Sequence, residues 1–558
     1  MQSPLGTRLR QALFVLLSAA FMAPLLAVMA SWLPLGAHSD SASAVLRGLW
    51  QTVLPDYLAT TVLLCGLVGL GVVVVGLATA LAVTVFDFPG RRVLAWALLL
   101  PLAIPAYVVA YAYTDFLQFA GPLQTSVRSL TGLQGRVFPE VRSLGGAAWV
   151  FVFSLYPYVY LLARTALLER ASSLMEAARL LGATLRRRLW QVAVPLCRPA
   201  VAAGAALALM ETLADYGVSS YFGIQTFTAG IYKAWLAMDD RLAAAQLATV
   251  LLGLVAVLLV LEQASRRRLR FALARPSRGD APQTQPQRLR GRAAMLAWCV
   301  CALPVAFGFV LPVLFMLHPL VQDWALVSWS AFVQWTFNSL RLGMISAVLA
   351  VALAWWLTFS LRRWPDGATR LAARLVGLGY AMPGAVVVVG LLLPLAWVQA
   401  RWPSLGWGAL LSTTALGLVW AYLVRFSAVA LQSLGSGFAR IPASFDASAL
   451  LLGCGNWGLL RRVLWPLQRR TTAVAALLVF VDVMKELPAT LVLRPFDSDT
   501  LAVVAYQLAR DERLGEAALP CLLLVGVGLI PVLLLSRTLA VPTVPRGPSA
   551  AGARLSAK

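Results

Sequence analysis

Four carboxylates stand out because of where they sit. Residues 209–217 read LMETLADYG and residues 480–488 read FVDVMKELP. In the first stretch Glu211 and Asp215 are four apart, so they share one face of a helix. In the second, Asp482 and Glu486 repeat the spacing. Each stretch closes an apolar run of the kind that enters a bilayer. A charge at bilayer depth is costly, so such groups face a cavity, a partner or a pathway. Carboxylates are hard oxygen donors suited to hard cations, and in a membrane they also serve as proton relays. A structural use stands beside these. Lys485 lies one turn from Asp482 and next to Glu486, where it could neutralise an acid. Gly217 and Pro488 follow at once, as they would if the acids capped helix ends. The residues alone leave these uses open.

The elements that must hold these acids are membrane helices. The chain has 558 residues, 60% hydrophobic and only 12% charged. Apolar runs long enough to span the hydrocarbon lie near 11–34, 58–86, 93–114, 146–167, 199–216 and 242–262. They resume near 294–318, 336–360, 371–397, 406–428, 471–488 and 516–537. The expected class is an all-α polytopic protein with about twelve spans. Pro101, Pro105, Pro383 and Gly384 should bend some of them, which helices buried in a bundle tolerate.

The net charge of +23 invites a nucleic-acid reading, but its distribution argues against one. With both termini inside, most of the 46 Lys and Arg fall on cytoplasmic segments, the positive-inside pattern. Arg186, Arg187, Arg188 and Arg198 follow the fourth run, and Arg266, Arg267, Arg268 and Arg270 follow the sixth. Contact with anionic lipid accounts for this charge, and no nucleic acid is expected as a partner. The first run, preceded by Arg8 and Arg10, is longer than the core of a signal peptide and reads as a retained helix. The cysteines (Cys65, Cys197, Cys299, Cys301, Cys454, Cys521) show no disulfide or zinc spacing and read as small core residues. His38 and His318 fall near outer span ends and read as solvated loop residues.

A polar, basic, Pro- and Gln-rich stretch over 266–293 reads as a cytoplasmic linker. It divides the chain into a first half, 1–265, and a second, 294–540, followed by a cytoplasmic tail, 541–558. The halves repeat. A shift of 271 residues carries Gly182 onto Gly453, Val192 onto Val463, Pro195 onto Pro466 and Arg198 onto Arg469. The same shift carries Glu211 onto Asp482 and Asp215 onto Glu486. Two acid pairs in register suggest a surface where the halves face each other. Repeat-related halves meeting at a central site are common in transporters.

The most specific feature precedes the acids. Glu176, Ala177 and Ala178 open a pattern EAA-x3-G-x9-V-x-V-P that runs through Gly182 to Pro195. An amphipathic helix lying on the inner leaflet would not explain its recurrence at fixed spacing; a docking element for a cytosolic partner does. The segment resembles the EAA loop of permease subunits in binding-protein-dependent ABC importers. That resemblance covers both halves, with loops near 168–198 and 432–470. It implies the type I ABC importer fold, with two homologous six-helix halves. In that family the loop forms a coupling helix seated in a groove of the ATP-hydrolysing subunit. Carried over, Glu176, Ala177, Ala178 and Gly182 would couple the first half. The second half keeps Gly453 and Pro466 but has Ala447 where Glu is expected and Asp446 one place earlier. The Glu contact there is either lost or moved to Asp446.

The stretches METLADYGVSSYFGIQTFTAGIYKAW (210–235), DVMKELPATLVLRPFDSDTLA (482–502) and DERLGEAALP (511–520) are similar to ferric-iron importer permeases of the fused two-half form. The resemblance implies a translocation subunit that is not itself an enzyme. Its partners would be cytosolic ATPase subunits, two copies of one chain, and a periplasmic ferric-iron-binding protein. The binding protein would meet loops near 35–57, 115–145, 217–241 and 489–515. The location implied is the bacterial inner membrane. The chain would bind no cofactor, ATP-Mg residing on the partner. The sequence agrees that no engine is present: none of its three lysines (Lys233, Lys485, Lys558) lies in the G-x4-G-K-[ST] loop that cradles phosphates. Glu211, Asp215, Tyr216, Asp482, Lys485 and Glu486 are then pathway or gate candidates. Transient Fe3+ contact falls to the four acids, and no resident metal site is assigned. Tyr221 offers a further phenol, though interface aromatics are common. The competing expectations are the same machine with thiamine or another cationic or small solute, and a proton-coupled secondary transporter.

Overall fold

The computed structural model describes residues 4–32, 39–168, 172–271, 286–402, 404 and 414–539. The middle of the expected linker, His38 and the tail lie outside these. The described chain is almost wholly helical; its strands are two residues each, Phe86–Asp87 paired in parallel with Gln287–Arg288. This is the all-α polytopic fold that the apolar runs dictate.

In the first half the principal helices are α1 (Pro4–Ala30), α2 (Leu54–Val85), α3 (Arg91–Ala97), α4 (Ala106–Leu117), α5 (Leu144–Ala166), α6 (Ser172–Leu180), α7 (Val194–Ala214), α8 (Gly217–Tyr221) and α9 (Arg241–Phe271). In the second they are α10 (Arg292–Val305), α11 (Leu311–Gln322), α12 (Trp329–Arg363), α13 (Gly367–Leu378), α14 (Gly384–Arg401), α15 (Leu416–Ala439), α16 (Ala443–Leu451), α17 (Trp465–Lys485), α18 (Pro488–Leu493), α19 (Leu501–Arg510) and α20 (Leu514–Leu539). Helices α2, α5 and α7 pack on one another, and α12, α15 and α17 do the same in the second half.

Length and composition qualify ten helices among the described residues as membrane spans, or eleven with one bent pair. This agrees with the expectation of about twelve, the run near 471–488 being the one left out of the count. The bent pair is Arg91–Ala103 with Ala106–Thr131, folded by 91° at Pro105. The run near 471–488 became α17, 21 residues long. It fails on composition because it carries Arg469, Arg470, Asp482 and Lys485. The run near 371–397 split into α13 and α14, because Pro383 cannot continue a helix past the short 3-10 turn Gly379–Ala381.

The first helix of each half packs on the other half. Phe14 and Phe21 of α1 join the core of the second half, where Phe14 stacks on Trp356 at 4.5 Å. Arg10 pairs with Asp366 at 2.8 Å, and Asp366 caps α13 by accepting from the Thr369 backbone N–H at 2.9 Å. Partial desolvation works against ionisation there, but the Thr369 hydrogen bonds and the Arg10 charge hold the Asp366 carboxyl below the usual range. In return, Tyr113 of α4 donates to the Phe307 carbonyl at 2.7 Å, and Phe116 stacks on Phe315 of α11 at 3.9 Å. The halves are thus interlocked, and a central contact surface runs between them.

Candidate functional site

The site is built where α7 and α17 end. Both helices carry a proline in their first turn, Pro195 and Pro466, directly after a π-helical turn, Leu189–Ala193 and Leu459–Leu464. Both end at equivalent residues with the same backbone: Asp215 at φ −73°, ψ 131° and Glu486 at φ −72°, ψ 120°. Each chain then turns directly into a short helix, α8 or α18. The Asp215 Oδ1 accepts from the Val218 backbone N–H at 2.8 Å. Glu486 accepts from the backbone N–H groups of Ala489 and Thr490, both at 2.9 Å, and from the Thr490 hydroxyl at 2.6 Å. These two carboxylates satisfy N–H groups that would otherwise be orphaned at a helix start. Glu486, 5% exposed, also takes a 2.6 Å ion pair from Arg425 of α15.

The other two acids, Glu211 and Asp482, sit one turn earlier on the same face and are half-buried. Glu211 Oε1 accepts from the Tyr380 hydroxyl at 2.6 Å. Tyr380 belongs to the 3-10 turn that breaks the second half's span, three residues before Pro383. Asp482, among the described residues, has no hydrogen-bond or ion-pair partner. Tyr158 of α5 lies against this group, close to Tyr380 and within the field of Glu211 and Asp482. Each of the two acids therefore stands at the seam between the halves, with oxygen available to a passing group.

Lys485 does not neutralise its neighbours by direct pairing. Its Nζ donates to the Leu102 carbonyl at 2.9 Å, and it lies outside ion-pair distance of every described carboxylate. Leu102 sits in the first half's break, three residues before Pro105, as Tyr380 stands three before Pro383. The two prolines share a conformation, φ −59° and ψ 141° against φ −58° and ψ 142°.

Tyr216 is buried in an aromatic layer rather than facing the acids. Its ring lies 4.2 Å from Tyr232 and 5.7 Å from Tyr506. Tyr221 packs on Tyr111 at 4.6 Å and under the Arg142 guanidinium at 4.9 Å. This layer also joins the halves, since Tyr232 donates to the Pro488 carbonyl at 2.6 Å. No three His, Cys, Asp or Glu residues cluster as a metal site among the described residues.

At the opposite ends of α7 and α17 lie the two loops that share the repeated motif. α6 and α16 each run into a left-handed glycine, Gly182 at φ 76° and Gly453 at φ 77°, a conformation that side chains with a Cβ resist. Each loop presents two bare leucines just before it. Leu180 and Leu181 are 86% and 87% exposed, Leu451 and Leu452 89% and 84%. Within α6, Ala177 is exposed, Ala178 and Glu176 half-buried, and one Glu176 carboxylate oxygen is buried without a hydrogen-bond partner among the described residues. Ala447 is exposed. Asp446 is half-buried and accepts two hydrogen bonds from Arg362, at 2.5 and 3.0 Å.

Reading the sequence missed Tyr380, Tyr158 and Arg425. Arg425 had a signal, a lone charge in the apolar run AYLVRFSAV. The two tyrosines had none, being ordinary residues in aromatic-rich spans.

Residues 72–271 match the family described as binding-protein-dependent transport system inner membrane component. Over nearly its full length the chain is similar to the Fe(3+)-transport system permease protein FbpB 2 of Haemophilus influenzae, 24% identical over 88% of this chain and 91% of that protein. It is likewise similar to the probable ABC transporter permease protein y4fN of Sinorhizobium fredii, 24% identical over 90% of this chain and 89% of that protein. Similarity to the maltose/maltodextrin permease MalG of Vibrio parahaemolyticus is higher but shorter, 32% over 31% of this chain and 57% of that protein.

Proposed function

We propose that the chain is a permease of a binding-protein-dependent ABC importer, as its similarities support, and that its cargo is ferric iron, passed between the halves at Glu211 and Asp482. The observation that carries this reading is the placement of those two carboxylates. They are equivalent by the repeat, half-buried at the seam, and not consumed by capping as Asp215 and Glu486 are. A hard trivalent cation meeting hard oxygen donors is the matching chemistry. The scarcity of donors suits passage, since a pathway must release what it binds.

In this mechanism a loaded periplasmic protein docks on the outer loops. Two cytosolic ATPase subunits, which carry the ATP-Mg, close on the exposed leucine pairs of α6 and α16. Their movement rocks the halves about the seam, opening the acids first to one side and then to the other. The chain lies in the inner membrane with both termini in the cytoplasm. The carbohydrate named for the Vibrio relative leaves the two carboxylates without a role. A proton-coupled transporter leaves the duplicated loops without one.

The test is uptake of labelled ferric iron by iron-starved cells lacking other iron importers. The gene is deleted, then restored as wild type, Glu211→Gln or Asp482→Asn. Uptake that requires the gene and fails with either variant at normal membrane abundance supports the reading. Uptake indifferent to deletion overturns iron as cargo.

A further inference from the structure

The contacts that cross the seam beside Glu211 and Asp482 form a matched pair. In one, Tyr380 from the second half's break donates to Glu211 at the end of α7. In the other, Lys485 at the end of α17 donates to Leu102 in the first half's break. Tyr380 and Leu102 hold equivalent places, each three residues before the proline of its break. Glu211 and Lys485 sit on the equivalent helices. The symmetry of the fold is kept, but the chemistry is not. The repeat puts Ala214 opposite Lys485, so only one half carries an ammonium.

That ammonium lies in the field of Asp482 and Glu211, yet is held by a neutral carbonyl and not by either acid. Space is reserved for it. A Cβ on Gly528 of α20 would fall 2.8 Å from both Lys485 Cε and Nζ, and would drive into the Ala103 carbonyl. Glycine at 528 lets α20 pass the break while leaving room for the Lys485 head.

We propose that Lys485 is a tethered stand-in for the cargo: in the empty pathway it supplies the positive charge that Glu211 and Asp482 face, and it bolts the halves together through Leu102 until a cation arrives. This rests on the reading of the cargo as a cation. A cation at the two carboxylates repels the ammonium through low-dielectric protein. The bolt is then weakened by the cargo itself. An anion would do the reverse and strengthen it. Lys485 thereby selects by charge and ties release of the seam to the presence of cargo, because the cargo interacts differently with the bolted and unbolted states. It is a positioning and selectivity residue, not a ligand.

The experiment uses the full permease with its ATPase and binding proteins in proteoliposomes. ATP hydrolysis is measured without binding protein and without iron, then with ferric-loaded binding protein. The variants are Lys485→Met, Lys485→Arg and Gly528→Ala. Unbolting predicts that Lys485→Met raises idle hydrolysis roughly 5-fold or more, the lower range of coupling between sites. Lys485→Arg should stay near the wild-type rate. Gly528→Ala, which keeps the lysine but fills its space, should rise with the methionine variant. Idle hydrolysis at the wild-type rate in both Lys485→Met and Gly528→Ala, at equal abundance, overturns the bolt. Wild-type liposomes that hydrolyse ATP but never accumulate iron overturn the cargo reading instead, and the idle rates still decide the bolt.

Discussion

The ends of α7 and α17 have the same backbone and do different work. In the first half, Asp215 caps α8 through backbone N–H groups alone, Val218 and Ser219. In the second, Glu486 receives two backbone N–H groups, a hydroxyl and the Arg425 guanidinium. One turn earlier the weight reverses. Glu211 is bonded to Tyr380, whereas Asp482 is unpartnered among the described residues. Duplication set the geometry, and each half then placed its charges separately. Spacing shared between repeats therefore locates a site, but it does not show which acid is structural and which is free.

The largest effect should come from breaking the buried Arg425–Glu486 ion pair. Arg425 and Glu486 side chains are 13% and 1% exposed. Arg425→Met leaves Glu486 charged and without its counter-ion in a low-dielectric site, at a cost of about 3–5 kcal/mol. The expected outcome is a steep loss of membrane abundance and a large fall in melting temperature of the detergent-purified protein. Asp215→Asn, at the equivalent position, keeps an acceptor for Val218 and should cost about 1 kcal/mol or less. Equal damage from the two would show that the halves share the burden and that the contrast drawn here is wrong.

A second contrast lies at the two loops that share the repeated motif. Asp446 is held within the protein by Arg362, which also donates to the Phe438, Ile441 and Pro442 carbonyls. Glu176 has a carboxylate oxygen left over. Arg362→Ala should therefore destabilise the second loop by about 2 kcal/mol, less than a fully buried pair because both partners are 16% exposed. Glu176→Gln should leave the melting temperature unchanged and lower cargo-stimulated ATP hydrolysis by the assembled transporter. A stability loss in Glu176→Gln would place that residue in the same structural class as Asp446.

Much of this was legible beforehand, for reasons that differ by residue. Helices were readable because apolar length is a direct demand of the bilayer. The acid pairs were readable because charge in an apolar run is rare, and the repeat because glycine and proline hold positions that few other residues tolerate. The division of labour between the acids was not readable. It depends on Tyr380 and Arg425, which reach the acids from 169 and 61 residues away. Lys485 misled in an instructive way: closeness in sequence to two acids pointed to pairing, and the fold sent its head to a carbonyl 383 residues away. Helix α17 failed as a span by composition for the same reason, since the charges that mark the site also lower its apolar content.

The smallest effect is the sharpest control on the comparison, because here the halves should agree. Gly182 and Gly453 have the same left-handed conformation, and a Cβ at either would meet nothing within 4 Å. The cost of alanine is then conformational alone, about 1–2 kcal/mol at each site. Gly182→Ala and Gly453→Ala should shift the melting temperature by equal small amounts. Their effects on ATP hydrolysis need not match. If coupling runs through both exposed leucine pairs alike, the two variants lower stimulated hydrolysis to the same degree. If the Glu176 carboxylate oxygen left without a hydrogen-bond partner among the described residues makes the first loop the stronger contact, Gly182→Ala lowers it more at equal stability. Melting temperatures that differ between the two variants would mean that the loops are not equivalent even in backbone, and that the asymmetry extends beyond where the charges sit.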